Sequence, residues 1–396
     1  MKARTAVFDA RWILAAPSGI GVYAEALATR LPALLPDWKF VFAIRADASA
    51  ALADRLVGAA PGVAEAVRLA HAPLSPLGAL ELRRLVSERG ASLVHSPDFS
   101  LPQPRFGFPG RRVREIATIH DVIPLVVPDY APASRTARLR PVFRACLRAT
   151  ARRADVLFTV SERSKRDIVS ALRLSPREAA RVRAVPNGVS PAFGAAPHAP
   201  VKAAADRAER VVLYVGRRDP YKNVPLLVEA FAAACAEAPW PMRLVLAGSP
   251  DPRYPEAEAL ARSLGVADRV ESAGSLPFAE LVARYRASDL LVHPSRYEGF
   301  GLQVAEAFAS GLPVVCSDGG SLPEVAGGAA RVVPAAAGAA EWARAILGAL
   351  SDPAALARMR DAGLERARLF SWDRAAAAVA AAYGDGGVPP EGRTGA

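Results

Sequence analysis

Cysteine is scarce in this sequence of 396 residues, and long apolar runs do not occur. The three cysteines, Cys146, Cys235 and Cys316, lie far apart, without a C-x-x-C pair or the histidine spacing of a zinc site. We therefore expect no disulfide framework and no metal. Charged Asp9 and Arg11 interrupt the N-terminus before an apolar run reaches signal-peptide length. These absences predict a cytoplasmic chain with neither a membrane span nor an export signal.

The composition indicates well-packed cores. Hydrophobic residues make up 52% of the chain and charged residues 22%, which argues against a mainly disordered protein. A chain of 396 residues is too long for one ordinary core, so we expect two domains with a cleft between them.

Strand and helix patterns alternate along both halves, which predicts βα units, parallel sheets and an α/β fold with two doubly wound domains. Strand candidates in the first half lie at 5–12, 40–44, 92–96, 115–121 and 155–161. Those in the second half lie at 210–216, 242–248, 269–274, 290–295 and 313–318, with helices predicted at 224–237, 255–264, 277–287 and 302–310.

The domain boundaries follow from composition. Residues 191–209 are rich in proline, alanine and glycine, which is typical of a linker. We therefore predict domains at 1–190 and 210–370. An apolar helix is predicted at 371–384 and a disordered tail at 385–396.

Positive charge is concentrated in the first half, where residues 1–190 hold 29 lysines and arginines against 16 acidic residues. In its densest stretch, 135–153, arginines recur every fourth residue and predict a basic helix face at Arg140, Arg144, Arg148 and Arg152. Three interpretations stay open: a solvated face, an anionic membrane surface or lipid-phosphate acceptor, and nucleic acid. No nucleic-acid-binding motif accompanies the charge, so nucleic acid is not expected as a partner.

A glycine-rich loop at 298–301 lies between a predicted strand and a predicted helix. Its glycines allow the close approach of an anion to the helix N-terminus, where free N–H groups point outward. Glu298 and Glu306 can face one crevice at the strand C-termini, where a carboxylate can accept hydrogen bonds from a ribose. Each glutamate could equally be an ordinary surface charge.

The turn after the first strand of the second half, GRRDPYKN (216–223), carries three cations, Arg217, Arg218 and Lys222. At a strand end they are placed to neutralise a diphosphate. A solvated basic turn is the alternative.

The segment from Glu298 to Glu306 resembles the E-x7-E signature of retaining glycosyltransferases of family 4, which have the GT-B fold of two Rossmann-like domains facing each other across a cleft. The resemblance extends to SGIGVY, TIHDVIP, TVSERSKRDI, VPNGV, VGRRDPYKN and SDGGSLPEV, and covers residues 18 to about 372. Within the group, HDVIP and the G-x-x-x-P-x-K-N pattern look most like bacterial mannosyltransferases of surface-polysaccharide and lipopolysaccharide synthesis.

The resemblance implies transfer of a hexose, with mannose from GDP-mannose as the best guess, to a saccharide or lipid-linked acceptor, without a metal or other cofactor. The charge of the first half favours peripheral association with the inner membrane face. The resemblance also assigns roles to individual residues. His120 and Glu298 would contact the transferred sugar, with Glu298 binding or stabilising charge rather than acting as a nucleophile. Donor-binding positions would be Gly19, Gly21, Arg217, Lys222, Gly299, Phe300, Gly301 and Glu306.

Some features limit these expectations. Arg218 stands where the family usually has an apolar residue or threonine, which predicts a more cationic phosphate pocket. His120 could instead be a buried strand-end histidine, and His95 and His293 are predicted to serve packing or local hydrogen bonding. Two other functions remain open: a nucleotide-sugar 2-epimerase of the same fold, and a non-catalytic basic scaffold that binds membranes or nucleic acid.

Overall fold

The computed structural model describes residues 4–14, 18–101, 107–108, 111–194 and 209–384. The predicted tail at 385–396 lies outside these residues, as does 195–208 of the predicted linker.

The first half of the chain alternates strands and helices. Its strands are β1 (Arg4–Asp9), β2 (Trp38–Arg45), β3 (Ala64–Leu69), β4 (Leu93–Ser96), β5 (Gly107–Phe108), β6 (Arg111–Arg112), β7 (Arg114–Thr118), β8 (Val156–Thr159) and β9 (Val182–Ala184). Its helices are α1 (Gly19–Ala28), α2 (Leu31–Leu34), α3 (Ala50–Gly58), α4 (Pro76–Glu88), α5 (Ile123–Val126), α6 (Arg135–Arg138), α7 (Arg140–Arg153), α8 (Glu162–Ala171) and α9 (Pro176–Ala179).

Seven of these strands form one sheet in the order β3-β2-β1-β4-β7-β8-β9. The strands that pair in it run parallel, and the middle strands β4, β7 and β8 are buried along almost their whole length because parallel strands are covered on both faces. Serine hydroxyls start six of the helices by accepting a first-turn amide, which satisfies donors that a helix end leaves unpaired. The capping serines are Ser18, Ser49, Ser75, Ser134, Ser161 and Ser175.

The second half repeats the pattern. Its strands are β10 (Arg210–Val215), β11 (Met242–Ala247), β12 (Val270–Gly274), β13 (Leu290–His293), β14 (Val314–Ser317) and β15 (Arg331–Val333). Its helices are α10 (Val224–Glu237), α11 (Glu256–Ser263), α12 (Phe278–Ala287), α13 (Leu302–Ala309), α14 (Leu322–Ala326), α15 (Ala339–Leu350), α16 (Pro353–Ala367) and α17 (Trp372–Ala380).

The six strands of this half form a parallel sheet in the order β12-β11-β10-β13-β14-β15. The chain reverses its direction of winding between β10 and β13, and ligands of such sheets bind at this point, beyond the carboxyl ends of the strands. The prediction of an α/β protein with two doubly wound domains is confirmed.

By compactness the chain divides into two units. The first comprises Met1–Ala117, Ala154–Val156 and Asp373–Ala396, and the second Thr118–Arg153 and Leu157–Trp372. In the first unit, Tyr383 lies 2.8 Å from His95 Nδ1 through its hydroxyl. Burial lowers the pKa of His95 to about 3, so this histidine is neutral and serves packing, as its position at a strand end predicts. The boundary at residue 190 stays a prediction.

Candidate active site

Lys222 and Glu298 form a buried ion pair in the second unit. Lys222 Nζ lies 2.6 Å from Glu298 Oε1, and each side chain is only 8% exposed. Lys222 ends a single 3-10 turn that follows β10, and Glu298 lies in the loop after β13, so two adjacent strands bring the residues together. The pairing stabilises two charges that would each be costly to bury alone.

His293, at the end of β13, completes the surroundings of Glu298. Its Nε2 lies 2.8 Å from the same Oε1 atom, and its ring is fully buried and stacked on Tyr214. Burial acts to raise the pKa of Glu298, but Lys222 and His293 outweigh burial and hold that pKa well below its usual range. Glu298 is therefore a carboxylate at neutral pH. For Lys222 the same pairing overcomes burial and raises the pKa, so both partners are charged.

His120 and Asp121 lie in the loop beyond β7. The predicted strand 115–121 was too long, because β7 ends at Thr118. The His120 carbonyl accepts a hydrogen bond from Thr159 Oγ1 at 3.3 Å. Burial raises the pKa of Asp121 to about 6, against the opposing effect of the Ile123 amide, which donates to Asp121 Oδ1 at 3.0 Å. Asp121 is thus a second, partly buried carboxyl group near Glu298, and the sequence motifs did not indicate a role for it.

Glu306 lies on α13, where the Tyr285 hydroxyl donates a hydrogen bond to its Oε2 atom at 2.7 Å. Burial raises the pKa of Glu306 to about 7, although this hydrogen bond acts in the opposite direction. Tyr285 orients the carboxyl group that the resemblance assigns to the ribose. The motif did not reveal this role because Tyr285 lies on a different helix, α12.

The raised pKa of Glu306 predicts a pH-dependent effect of Glu306→Gln. A carboxyl group whose pKa is higher in the folded than in the unfolded protein stabilises the fold most at low pH and loses that contribution as the pH rises through about 7. We therefore expect the melting temperature of Glu306→Gln, relative to wild type, to be higher at pH 8 than at pH 5. Glu280→Gln, on the exposed face of α12, is the control and should show no such difference; equal effects of both variants would refute the assignment.

The loop Gly299–Gly301 has three distinct environments. A Cβ atom at Gly299 would lie 2.8 Å from Asp121 Cβ, so only glycine fits there. Gly301 precedes the first residue of α13 with φ of 89°, a conformation that favours glycine. Phe300 is buried in the core with its ring edge-on to Phe370. Its side chain packs inward, and the part of Phe300 in donor binding stays a prediction.

Arg217 and Arg218 point to different partners. Arg217 remains 68% exposed at its side chain and forms an ion pair with Asp219 at 2.9 Å, so it is accessible to a ligand. Arg218 is buried, forms an ion pair with Glu258 of α11, and donates to Ser272 Oγ at 3.2 Å. Because Glu258 neutralises Arg218, the expected increase in the positive charge of the pocket is wrong.

Gly19 and Gly21 begin α1 in the first unit. Ser18 caps this helix, and the Gly21 amide donates to Ser18 Oγ at 3.1 Å. A Cβ atom at Gly21 would lie 2.8 Å from the Trp12 carbonyl oxygen, which explains the glycine. The Gly21 amide is therefore already hydrogen-bonded within the first turn of α1. That an amide of this loop faces a phosphate stays a prediction, and it now concerns Gly19.

The basic stretch forms helix α7, but its arginines are not a free row of charges. Arg140 donates to the Val127 carbonyl at 2.8 Å, Arg144 donates to the Ala171 carbonyl at 2.9 Å, and Arg152 pairs with Glu178 at 3.3 Å. Arg144 and Arg152 are exposed and Arg140 and Arg148 are partly exposed, so the basic face and its three interpretations stay predictions.

None of the helices in the described part of the chain combines the length and the apolar character that a membrane span requires. Nor do three or more histidine, cysteine, aspartate or glutamate side chains of that part cluster as metal ligands would.

Two models of known protein families match this chain, one in each half. Residues 17–193 match the model of Glycosyltransferase Family 4, and residues 198–366 match that of Glycosyl transferases group 1. Together the two models cover most of the chain, and its fold is the GT-B fold. Sucrose-phosphate synthase from Thermosynechococcus elongatus has the same fold, with a TM-score of 0.74, 24% identity, and coverage of 96% of this chain and 98% of its own.

Two relatives are similar to this chain in sequence. The D-inositol 3-phosphate glycosyltransferase of Corynebacterium glutamicum is 34% identical over 181 residues. This match covers 44% of the present chain and 43% of the relative, so it spans less than half the length of either protein. The O-antigen chain mannosyltransferase B of Escherichia coli is 29% identical over 298 residues, or 74% of each chain. The Anabaena protein HepE, solved with UDP-glucose, shares the fold at a TM-score of 0.72 and 17% identity, over 96% of this GT-B chain and 99% of its own.

Proposed function

We propose that this GT-B chain transfers a hexose from a nucleotide-sugar donor to a saccharide or lipid-linked saccharide acceptor. The observation that carries the proposal is the buried Lys222–Glu298 pair at the switch point of the second sheet. A cation suited to a diphosphate and a carboxylate suited to a sugar lie together beyond the carboxyl ends of adjacent strands, which supports the proposal.

The proposed roles follow from charge. Negative charge develops on the leaving diphosphate as the sugar–oxygen bond breaks, and preorganised cations there lower the barrier. Arg217 and Lys222 supply them in place of a metal. Glu306 binds the ribose, while Glu298 and His120 contact the sugar. We propose retention of anomeric configuration, with attack on the face that the diphosphate leaves and transfer of the acceptor proton to the departing phosphate.

For the donor we propose GDP-mannose. Support comes from the likeness to the E. coli O-antigen mannosyltransferase, which extends over 74% of both chains. The complex of HepE with UDP-glucose makes UDP-sugars the first alternative to test.

For the acceptor, a sugar hydroxyl of a surface polysaccharide or lipopolysaccharide intermediate is favoured by the same E. coli relative. A specific observation also supports inositol 3-phosphate as a second candidate, because the Corynebacterium relative named for that acceptor is 34% identical over its matching segment.

A transfer assay tests the proposal. The purified chain is incubated in EDTA with GDP-mannose or UDP-glucose, and with either inositol 3-phosphate or a lipid-linked saccharide, and nucleoside diphosphate release and product mass are measured. We expect release that depends on the acceptor and persists in EDTA. Conversion of the sugar nucleotide without an acceptor would instead indicate an epimerase, and no turnover of any donor would contradict the proposal.

We also propose peripheral association with an anionic inner-membrane surface. Leu139, just before α7, and Val142, on α7, are 55% and 57% exposed. The exposed arginines of the same helix can face lipid phosphates. Sedimentation with vesicles of neutral or anionic lipid at two salt concentrations tests this. We expect more pelleting with anionic lipid at low salt and less with Leu139→Ser/Val142→Ser, whereas equal pelleting with both lipids would refute it.

A further inference from the structure

Residues 161–164 (SERS), at the start of helix α8, have no part in the proposed chemistry, yet they contact the loop that carries Glu298. Ser161 Oγ donates to the Gly299 carbonyl at 2.7 Å, and Ser164 Oγ donates to the same oxygen at 2.9 Å. Both serines are buried, with exposures of 1% and 0%. One carbonyl oxygen, next to Glu298 in the chain, thus receives two hydroxyl donors from a single helix turn.

The residue on the other side of Glu298 is held by the same helix. The Tyr297 hydroxyl donates to Asp167 of α8, and the guanidinium of Arg163 lies over the Tyr297 ring, 5.6 Å from its centroid. Arg163 Nε also pairs with Asp167 at 2.8 Å. Helix α8 therefore fixes both chain neighbours of Glu298, Tyr297 and Gly299.

The start of α8 is itself anchored. The two carboxylate oxygens of Glu324 accept the Glu162 and Arg163 amides, at 3.0 and 3.1 Å. A carboxylate at a helix N-terminus satisfies free amides and interacts favourably with the helix dipole. Arg366 in turn donates to the Val325 carbonyl at 3.0 Å, which anchors the segment that carries Glu324.

A third set of hydrogen bonds holds the backbone of Glu298. Its own carbonyl accepts the Ser321 amide at 3.0 Å and the Ser321 hydroxyl at 3.1 Å. With Gly299 bound by α8, successive carbonyls of the loop are each held by two donors. The backbone of the loop therefore has little freedom, and the direction of the Glu298 side chain depends on these bonds.

We propose that Ser161 and Ser164 are positioning residues, which place the Glu298 carboxylate for the transferred sugar through the Gly299 carbonyl. This inference rests on the proposed function for its kinetic consequence. Removing both hydroxyls leaves a buried carbonyl without its donors, so the loop turns toward other partners and Glu298 moves with it. A displacement of the order of 1 Å near reacting groups costs about 100-fold in rate.

The test compares Ser161→Ala/Ser164→Ala with wild type. We expect kcat to fall by about 10- to 100-fold, while the Kd for the nucleoside diphosphate changes less than about threefold, because Glu298 contacts the sugar and not the nucleotide. Ser170→Ala is the matched control: it removes an exposed serine from the same helix and should leave both constants unchanged. Ser161→Thr keeps a hydroxyl and a capping group and should retain most of the wild-type kcat.

Hydrogen–deuterium exchange of the amides at 296–301 gives a second, independent result. We expect faster exchange in the double variant and unchanged exchange in Ser170→Ala. If wild type proves inactive, the proposed function fails, and unchanged exchange in the double variant would still overturn the positioning role. If wild type is active and the double variant matches it in kcat, the positioning role fails alone. Should the double variant not fold, Ser164→Ala and Ser161→Ala singly, compared with Ser161→Thr, give the same comparison.

Discussion

Replacing Lys222 with methionine is expected to reduce transfer by about 100- to 1,000-fold and to destabilise the fold by about 3–5 kcal/mol. The rate falls because the cation proposed to stabilise the leaving diphosphate is lost. Stability falls because Glu298, buried at 8% side-chain exposure, is left without its ion-pair partner at 2.6 Å. Chemical denaturation and initial-rate kinetics at saturating donor measure the two effects.

Two further variants separate the effect on the rate from the effect on stability. Lys165→Met removes a lysine whose ion pair with Glu162, at 3.9 Å, lies on the surface, so we expect less than about 1 kcal/mol and unchanged kinetics. Lys222→Met/Glu298→Gln removes both buried charges and should regain much of the lost stability without regaining activity. An active Lys222→Met enzyme would remove this lysine from the proposed mechanism.

Replacing Gly320 with alanine is expected to have the second-largest effect, although Gly320 is not a proposed ligand of the donor. A Cβ atom there would lie 2.2 Å from the Glu298 carbonyl oxygen and 2.7 Å from its amide nitrogen. The backbone of Glu298 must move to accommodate it, which predicts a loss of about 1–3 kcal/mol from overpacking and about 100-fold in kcat.

Gly328→Ala is the matched control for Gly320→Ala. Both glycines have positive φ, 64° at Gly320 and 85° at Gly328, so both substitutions carry the same kind of backbone strain, about 1–2 kcal/mol. A Cβ atom at Gly328 meets no atom within 4 Å. We therefore expect a modest stability loss and normal kcat for Gly328→Ala, and similar kcat values for the two variants would refute the argument from the Glu298 contact.

The fold was predictable because parallel βα units leave a strong local pattern. Strands β10 and β11 and helix α10 lie where the apolar runs placed them, and α13 begins at Leu302 as the glycine-rich loop predicts. The short edge strands β3 and β15 were missed, because they lack a long apolar run and are only partly buried. Boundaries were less predictable because apolar residues continue past strand ends: buried Ile119 follows the end of β7 at Thr118.

The sequence motifs predicted which residues form the site, but not which residues pair with one another. Lys222 and Glu298 were selected separately, 76 positions apart, and their ion pair depends on the order of strands in the sheet. Arg218 was assigned to a phosphate because its sequence neighbours are cationic, whereas Glu258 on α11 pairs with it. His293 was predicted to serve packing or local hydrogen bonding, but its partner, Glu298, was not predicted.

The most direct test of the donor site is thermal melting with nucleotides. Wild type is melted in EDTA with GDP, UDP and ADP, each alone and as its sugar nucleotide, beside Glu306→Ala. A nucleotide at about 100 times its Kd stabilises the folded chain by roughly 2.7 kcal/mol, which raises the melting temperature by several degrees. We predict such a shift for one base only, GDP by our proposal, and its loss in Glu306→Ala. No shift with any nucleotide would contradict a donor site formed by Lys222, Glu298 and Glu306.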